Sequence, residues 1–156
     1  MTVQEFQARK FERIAKTVAH FVATTPEDKL DWRPSVDENS CTRSTLDQIS
    51  ECIACNRMIA SIICGEQAEM GDDVPITDAQ TAQAELIASA RELAAVVRAM
   101  PDEALSKTFS MSRASMTGEV LIDLAHRNMA YHGGQINFIQ LLLGDKEFHQ
   151  HPDAFR

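Results

Sequence analysis

The sequence predicts an all-α protein, a four-helix bundle forming one domain over residues 1–156, on three observations. Four segments carry apolar residues at helical spacing, each is closed by a proline or a glycine, and no internal repeat or low-complexity stretch interrupts the pattern. A chain of this length buries roughly two-thirds of its unfolded surface in a single core, so further staples are not required.

The first helix is expected from Thr2 to Ala23, with Phe6, Phe11, Ile14, Val18 and Phe21 or Val22 near one face; it stops before Pro26, because a residue preceding proline is pushed out of the helical region. Residues 26–43 contain two prolines and turn-forming Asp, Asn and Ser, and read as a long connection anchored by Trp32. The second helix starts with Ser44 or Thr45 as its cap and Asp47 in its first turn. It carries Leu46, Ile49, Ile53, Asn56, Ala60 and Ile63 on one face and ends at Gly65. A polar loop over residues 66–77 leads to the third helix, expected from Asp78 to Met100, whose face from Ala79 through Ala82, Leu86 and Ala90 to Val97 is built of small residues that favour close helix approach. After Pro101, residues 106–118 leave room for a short extended piece. The fourth helix, from Thr117 to Leu143 with Gly144 beyond it, has an apolar stripe that includes Leu121, Leu124, Tyr131, Phe138 and Leu142. A polar tail, interrupted by Phe148 and Phe155, follows and is expected either to pack across one end or to fray.

Composition narrows the function classes. The hydrophobic fraction is 44 % and the charged fraction 24 %, as in ordinary globular proteins. A net charge of −8 without a dense basic stripe disfavours nucleic acid. Apolar runs fall short of the ~20 residues that span a bilayer, and the amphipathic N-terminus is unlike a signal peptide, so no membrane association and a cytoplasmic location are expected. Of the four cysteines, Cys52 and Cys55 lie three apart on one helix, a poor spacing for a disulfide; they read as reduced core residues.

The fourth helix holds the candidate chemistry. At about 100° per residue, Leu121, Leu124, Asn128, His132, Gln135, Ile139 and Leu142 share a face, so three polar side chains point inward. A buried unpaired amide or imidazole costs about 1–3 kcal/mol, so these groups need partners. Asn128 and His132, spaced i and i+4, reach one point between helices, and Glu51 on the second helix is the first partner to look for. A structural polar network and a ligand site both fit such a stripe. Gly133-Gly134 inside a helix reads as a close helix crossing. His126 lies on another face, and His149 and His151 sit in the tail as solvated or adventitious chelators. Gly-rich phosphate loops, GxSxG and HExxH are absent from the sequence.

The segment Asn128-Met-Ala-Tyr-His132-Gly-Gly-Gln135-Ile136, closing at Gly144-Asp145, together with Leu30-Asp-Trp-Arg-Pro34 and the helix start at Ser44, resembles DinB-like proteins over roughly residues 5 to 145. The resemblance implies an up-down-down-up bundle with a long crossover after the first helix. It also implies a divalent metal, zinc or nickel, held by one histidine of the second helix and an HxxxH pair of the fourth. His132 matches the second histidine of that pair, Asn128 stands at the first, and Glu51 stands at the second-helix position, with Cys52 as the alternative if the register shifts by one. Asparagine is a weak donor for zinc, so Glu51, Asn128 and His132 make a poorer metal set than three imidazoles. A metal-free histidine, oriented by Glu51 and Asn128 with its pKa raised by the carboxylate, competes with that reading.

Some relatives are thiol-dependent S-transferases. Carried to this chain, the resemblance implies a small-molecule enzyme with a degenerate site; a non-catalytic small-molecule binding or stress-response module, or a structural homodimer approached through the small-residue third helix, are the alternatives.

Overall fold

A computed structural model describes residues 1–35, 37, 41–68, 75–111, 114–149 and 151–152. Parts of the 26–43 connection, the 66–77 loop and the 106–118 stretch, and Phe155 in the tail, lie outside the described residues. Four helices make up most of the chain: α1 (Val3–Thr24), α2 (Thr45–Ile63), α3 (Ala79–Arg98) and α4 (Gly118–Leu142).

The helix ends follow local chemistry. Thr2 caps α1 by accepting from the Glu5 amide, and Asp78 caps α3 by accepting from the Thr81 amide. Ser44 and Asp47 form a reciprocal capping box at the start of α2. Gly65 and Gly144 adopt positive φ, +87° and +92°, just past the ends of α2 and α4. In each case the following amide reaches back to the carbonyl five residues earlier, Glu66 to Ser61 and Asp145 to Gln140, which satisfies carbonyls the helix leaves open.

The all-α expectation needs one correction. Within the stretch left for an extended piece, β1 (Thr108–Met111) and β2 (Ala114–Thr117) pair antiparallel, Phe109 opposite Met116, to form a two-stranded sheet. Phe109, Met111 and Met116 lean on the core edge, so the hairpin closes one end of the molecule by burying apolar side chains.

Helices α1 and α2 each pack against both α3 and α4. The core runs through Phe11, Ile49, Ile59, Leu86, Ile122 and Ile136, all fully buried. The small residues of α3, Ala82, Ala90 and Ala94 among them, are buried inside the protomer. That face is therefore taken up by packing within one chain. Two buried glutamines tie helix ends together: Gln4 donates to Met100 O at 3.2 Å, and Gln140 donates to Phe21 O at 2.9 Å and to Thr24 Oγ1 at 3.0 Å.

The 26–43 connection is docked by backbone and charge. Leu46 N bonds Leu30 O at 3.3 Å, and Arg33 reaches Asp47 at 2.8 Å and Thr42 O at 3.0 Å. Leu30 is the buried residue of this segment; Trp32, expected as the anchor, is half-buried. The α4 expectation was also turned about one residue too far. Tyr131, Phe138 and Leu142 are exposed, while Leu121, Ile122, Ala125, Met129, Ile136 and Ile139 face inward. Phe6 of α1 likewise points outward.

Candidate functional site

Of the residues expected at the α2–α4 contact, Glu51 and His132 meet there. His132 is 4 % exposed. Gly133 beside it lets α4 close onto α1, because a Cβ added there would stand 2.9 Å from Val18 Cγ2. The expected close crossing thus belongs to Gly133 alone, since Gly134 has nothing within 4 Å.

Residues Gln48 and Glu51, three apart on α2, present their side chains to the His132 ring. Nε2 lies 3.2 Å from Glu51 Oε1, and Nδ1 faces both Gln48 Oε1 and, at 3.2 Å, Gln135 Oε1. The other oxygen of Glu51 is paired with Arg43 Nη1. A chain of contacts therefore runs Arg43–Glu51–His132–Gln48, from the connection through α2 into α4. Tyr131 adds an edge-on ring contact to His132, with centroids 5.2 Å apart.

Burial pushes the His132 pKa below the usual imidazole value, and the Arg43 charge adds to this against the opposing contact with Gln135. The rise expected from Glu51 does not occur: burial is the largest influence on the ring, and the Glu51 carboxylate is itself paired with Arg43. His132 is thus a neutral ring with a single proton. Glu51 Oε1 is a fixed acceptor and the Gln48 and Gln135 amides can present either their oxygen or their NH2 group, so a ring protonated at Nε2 donates to Glu51 and accepts at Nδ1 from an amide. Asn128 holds a different place from the one expected. It makes no hydrogen bond to His132, and its Oδ1 is buried without a partner.

Cys52, the alternative second-helix ligand, is enclosed in the apolar core. Burial raises its thiol pKa, and that of Cys55 is pushed up to about 11, so neither is a ready thiolate. All four cysteines are free thiols. His126 sits apart, with its pKa lowered by burial and then by Lys10. His149 contacts Asp145 at 2.6 Å, and His151 meets the His20 ring edge-on. These tail histidines are therefore engaged, where solvation was expected.

Sequence reasoning missed Gln48 and Arg43. Gln48 carried a usable signal, its position three residues before Glu51 on one helical face. Arg43 lies outside the helix and carried none.

Comparison with known proteins follows the same lines. The family model of the DinB superfamily matches residues 10–136. The chain belongs to the DinB superfamily. A crystal structure of a DinB-like protein from Bacillus subtilis is similar to it with a TM-score of 0.72 at 14 % identity, covering 94 % of this chain and 99 % of that one. A DinB-like protein from Bacillus cereus gives a TM-score of 0.67 at 14 % identity over 90 % and 91 % of the two chains. At such identity the likeness shows the fold. No curated protein matches the chain in sequence.

The donors of this DinB superfamily member do not fit a three-imidazole zinc or nickel centre. They comprise one imidazole, one carboxylate already paired with a guanidinium, and neutral amides. Among the described residues, no group of three His, Cys, Asp or Glu side chains is placed to hold a metal ion.

Proposed function

We propose that this DinB superfamily protein binds a small polar molecule at the His132 cluster without a resident zinc or nickel ion, in a single domain spanning residues 1–156. The observation that carries the reading is the bridging of Arg43 and His132 by Glu51. A guanidinium held on the carboxylate competes with a dication for the same charge. The Glu51 carboxylate and the unpaired Asn128 oxygen are acceptors, and they favour a ligand that brings hydrogen-bond donors, such as an amine or a hydroxyl compound. The net charge of −8 favours such a ligand over nucleic acid.

The same contacts support the up-down-down-up order of the bundle. Gln4 at the start of α1 meets the end of α3, and Gln140 near the end of α4 meets the end of α1. Along α2, Gln48 meets His132, and Asn56, further on, meets the earlier Met129. Helix α3 then runs against α1, α4 runs with α1, and α2 runs against α4. Among the described residues no helix is long and apolar enough to cross a membrane. Together with four free thiols, this supports a place in the cytoplasm.

A second reading has a specific observation in its favour. The buried, unpaired Asn128 Oδ1 would gain a partner if a weakly held divalent ion were shared with Glu51 and His132. This would be the degenerate remnant of the metal-dependent, S-transferase-like site that the family resemblance implies. Elemental analysis of untagged protein after mild dialysis separates the two. Sub-stoichiometric zinc and nickel are expected, and one ion per chain, lost in His132→Ala and Asn128→Ala, would establish the second reading instead.

A further inference from the structure

The outer side of α4 carries a pattern that the protomer leaves largely open, although Leu124 is partly buried against the core and Arg127 pairs with Asp123 at 3.2 Å. Counting from Val120, the chain places Leu124, Arg127, Tyr131, Gly134, Phe138 and Leu141 at alternating steps of four and three residues. This is the a/d spacing of a seam between two helices, sustained over three heptads. In an isolated molecule it faces solvent: Tyr131 is 65 % exposed, Phe138 57 %, Leu141 51 % and Val120 41 %. The apolar positions of the seam, with the neighbouring Leu142, present roughly 600 Å² of apolar surface at the usual ~150–250 Å² per aromatic side chain and somewhat less per aliphatic one.

We propose that this face is the contact between two copies of the chain, with α4 laid antiparallel against α4 of the second copy. Three arguments select a second copy. Gly134 lies mid-seam with nothing within 4 Å of where its Cβ would stand, although a glycine inside a helix weakens it by about 1 kcal/mol. Close approach of another backbone gives it a role that no contact inside the protomer supplies.

The seam is also complementary to itself. A two-fold axis at Tyr131 sets Leu124 of each chain opposite Phe138 of the other, and brings Arg127 within one residue of Gly134, a long side chain beside a residue with none, and Val120 within one residue of Leu141, so each pairing arises twice by symmetry.

The area is the third argument. With the exposed Arg127 and Gly134 of the seam and Ala130 beside it, the face approaches the ~800 Å² per partner of a standard stable interface. Because Tyr131 rests edge-on against His132, association would cover the outer side of the polar cluster.

Sedimentation equilibrium on the whole chain tests the proposal. At about 100 μM, where an interface of this size should form, the expected mass is twice 17.3 kDa. Each copy carries −8, so association through an apolar seam should tighten as salt rises. Phe138→Glu should weaken association at least about 100-fold while leaving helical circular dichroism unchanged, and Phe138→Ala should weaken it less. Phe148→Glu, an exposed position off the seam, should leave it intact. A monomeric wild type, or a dimer that survives Phe138→Glu and Phe138→Ala unchanged, would overturn the proposal. Should Phe138→Glu fail to fold, Phe138→Ala together with Leu141→Ser decides it by the same measurement.

Discussion

Glu51 Oε1 stands 3.2 Å from His132 Nε2 while the second Glu51 oxygen pairs with Arg43, so one carboxylate serves a neutral ring and a permanent cation together. Replacing the carboxylate by an amide should therefore not free the histidine. In Glu51→Gln the Arg43 charge is left without its counter-ion near the ring, and the His132 pKa should fall further below its ordinary value. NMR titration of the imidazole reads this directly, and an unchanged or raised pKa would show that the Glu51 charge does not act on the ring. The variant should also lose about 1–3 kcal/mol of stability through the unpaired buried contacts.

Stability should rise with pH through the histidine range. The folded-state pKa values of His132, His126 and His20 are each lowered, with burial the largest cause. The unfolded chain then binds more protons, so stability is fully present above the unfolded pKa of about 6.5 and is lost as pH falls towards the folded values. Urea unfolding at a series of pH values should show this slope. His132→Gln should flatten part of it, and a slope unaltered by that change would mean that His132 titrates as it does in the unfolded chain.

The paired glycines of α4 should respond in opposite directions to alanine. Gly133→Ala pushes a methyl towards Val18 Cγ2 at 2.9 Å and should cost about 1–3 kcal/mol from overpacking, less what helix propensity returns. Gly134→Ala meets nothing within 4 Å and should stabilise the isolated chain by up to about 1 kcal/mol. Denaturation in a Phe138→Glu background, which removes association through α4, compares the two; equal signs would contradict the packing described for Gly133.

Restoring histidine at Glu51 and Asn128 should create the three-imidazole face that the parent lacks. Glu51 already faces His132, and Asn128 lies one turn before it on α4, so both replacements are placed on the correct helices. The double variant should bind zinc far more tightly than the parent in a competition titration. Equal binding by the parent would refute the metal-free reading. Failure of the variant to bind would mean that Asn128 does not point to the ring.

The helices and their ends were legible in the sequence because they depend on neighbours in the chain. Ser44 with Asp47, Asp78, Gly65 and Gly144 act within one turn, and local periodicity marked α1 and α3 to within a residue or two. His132 and Glu51 were legible as candidates because a polar residue on an apolar face must find a partner. The orientation of α4 was decided by tertiary structure alone. Its outer side is nearly as apolar as its inner one, so periodicity could not choose, and the approach of Gly133 to Val18 did. Gln48 and Arg43 became site residues only when α2 and the preceding connection were set beside α4. The contacts of Gln48 and Glu51 with His132 act over a few ångströms between residues more than eighty apart in the chain, a distance that no local pattern records.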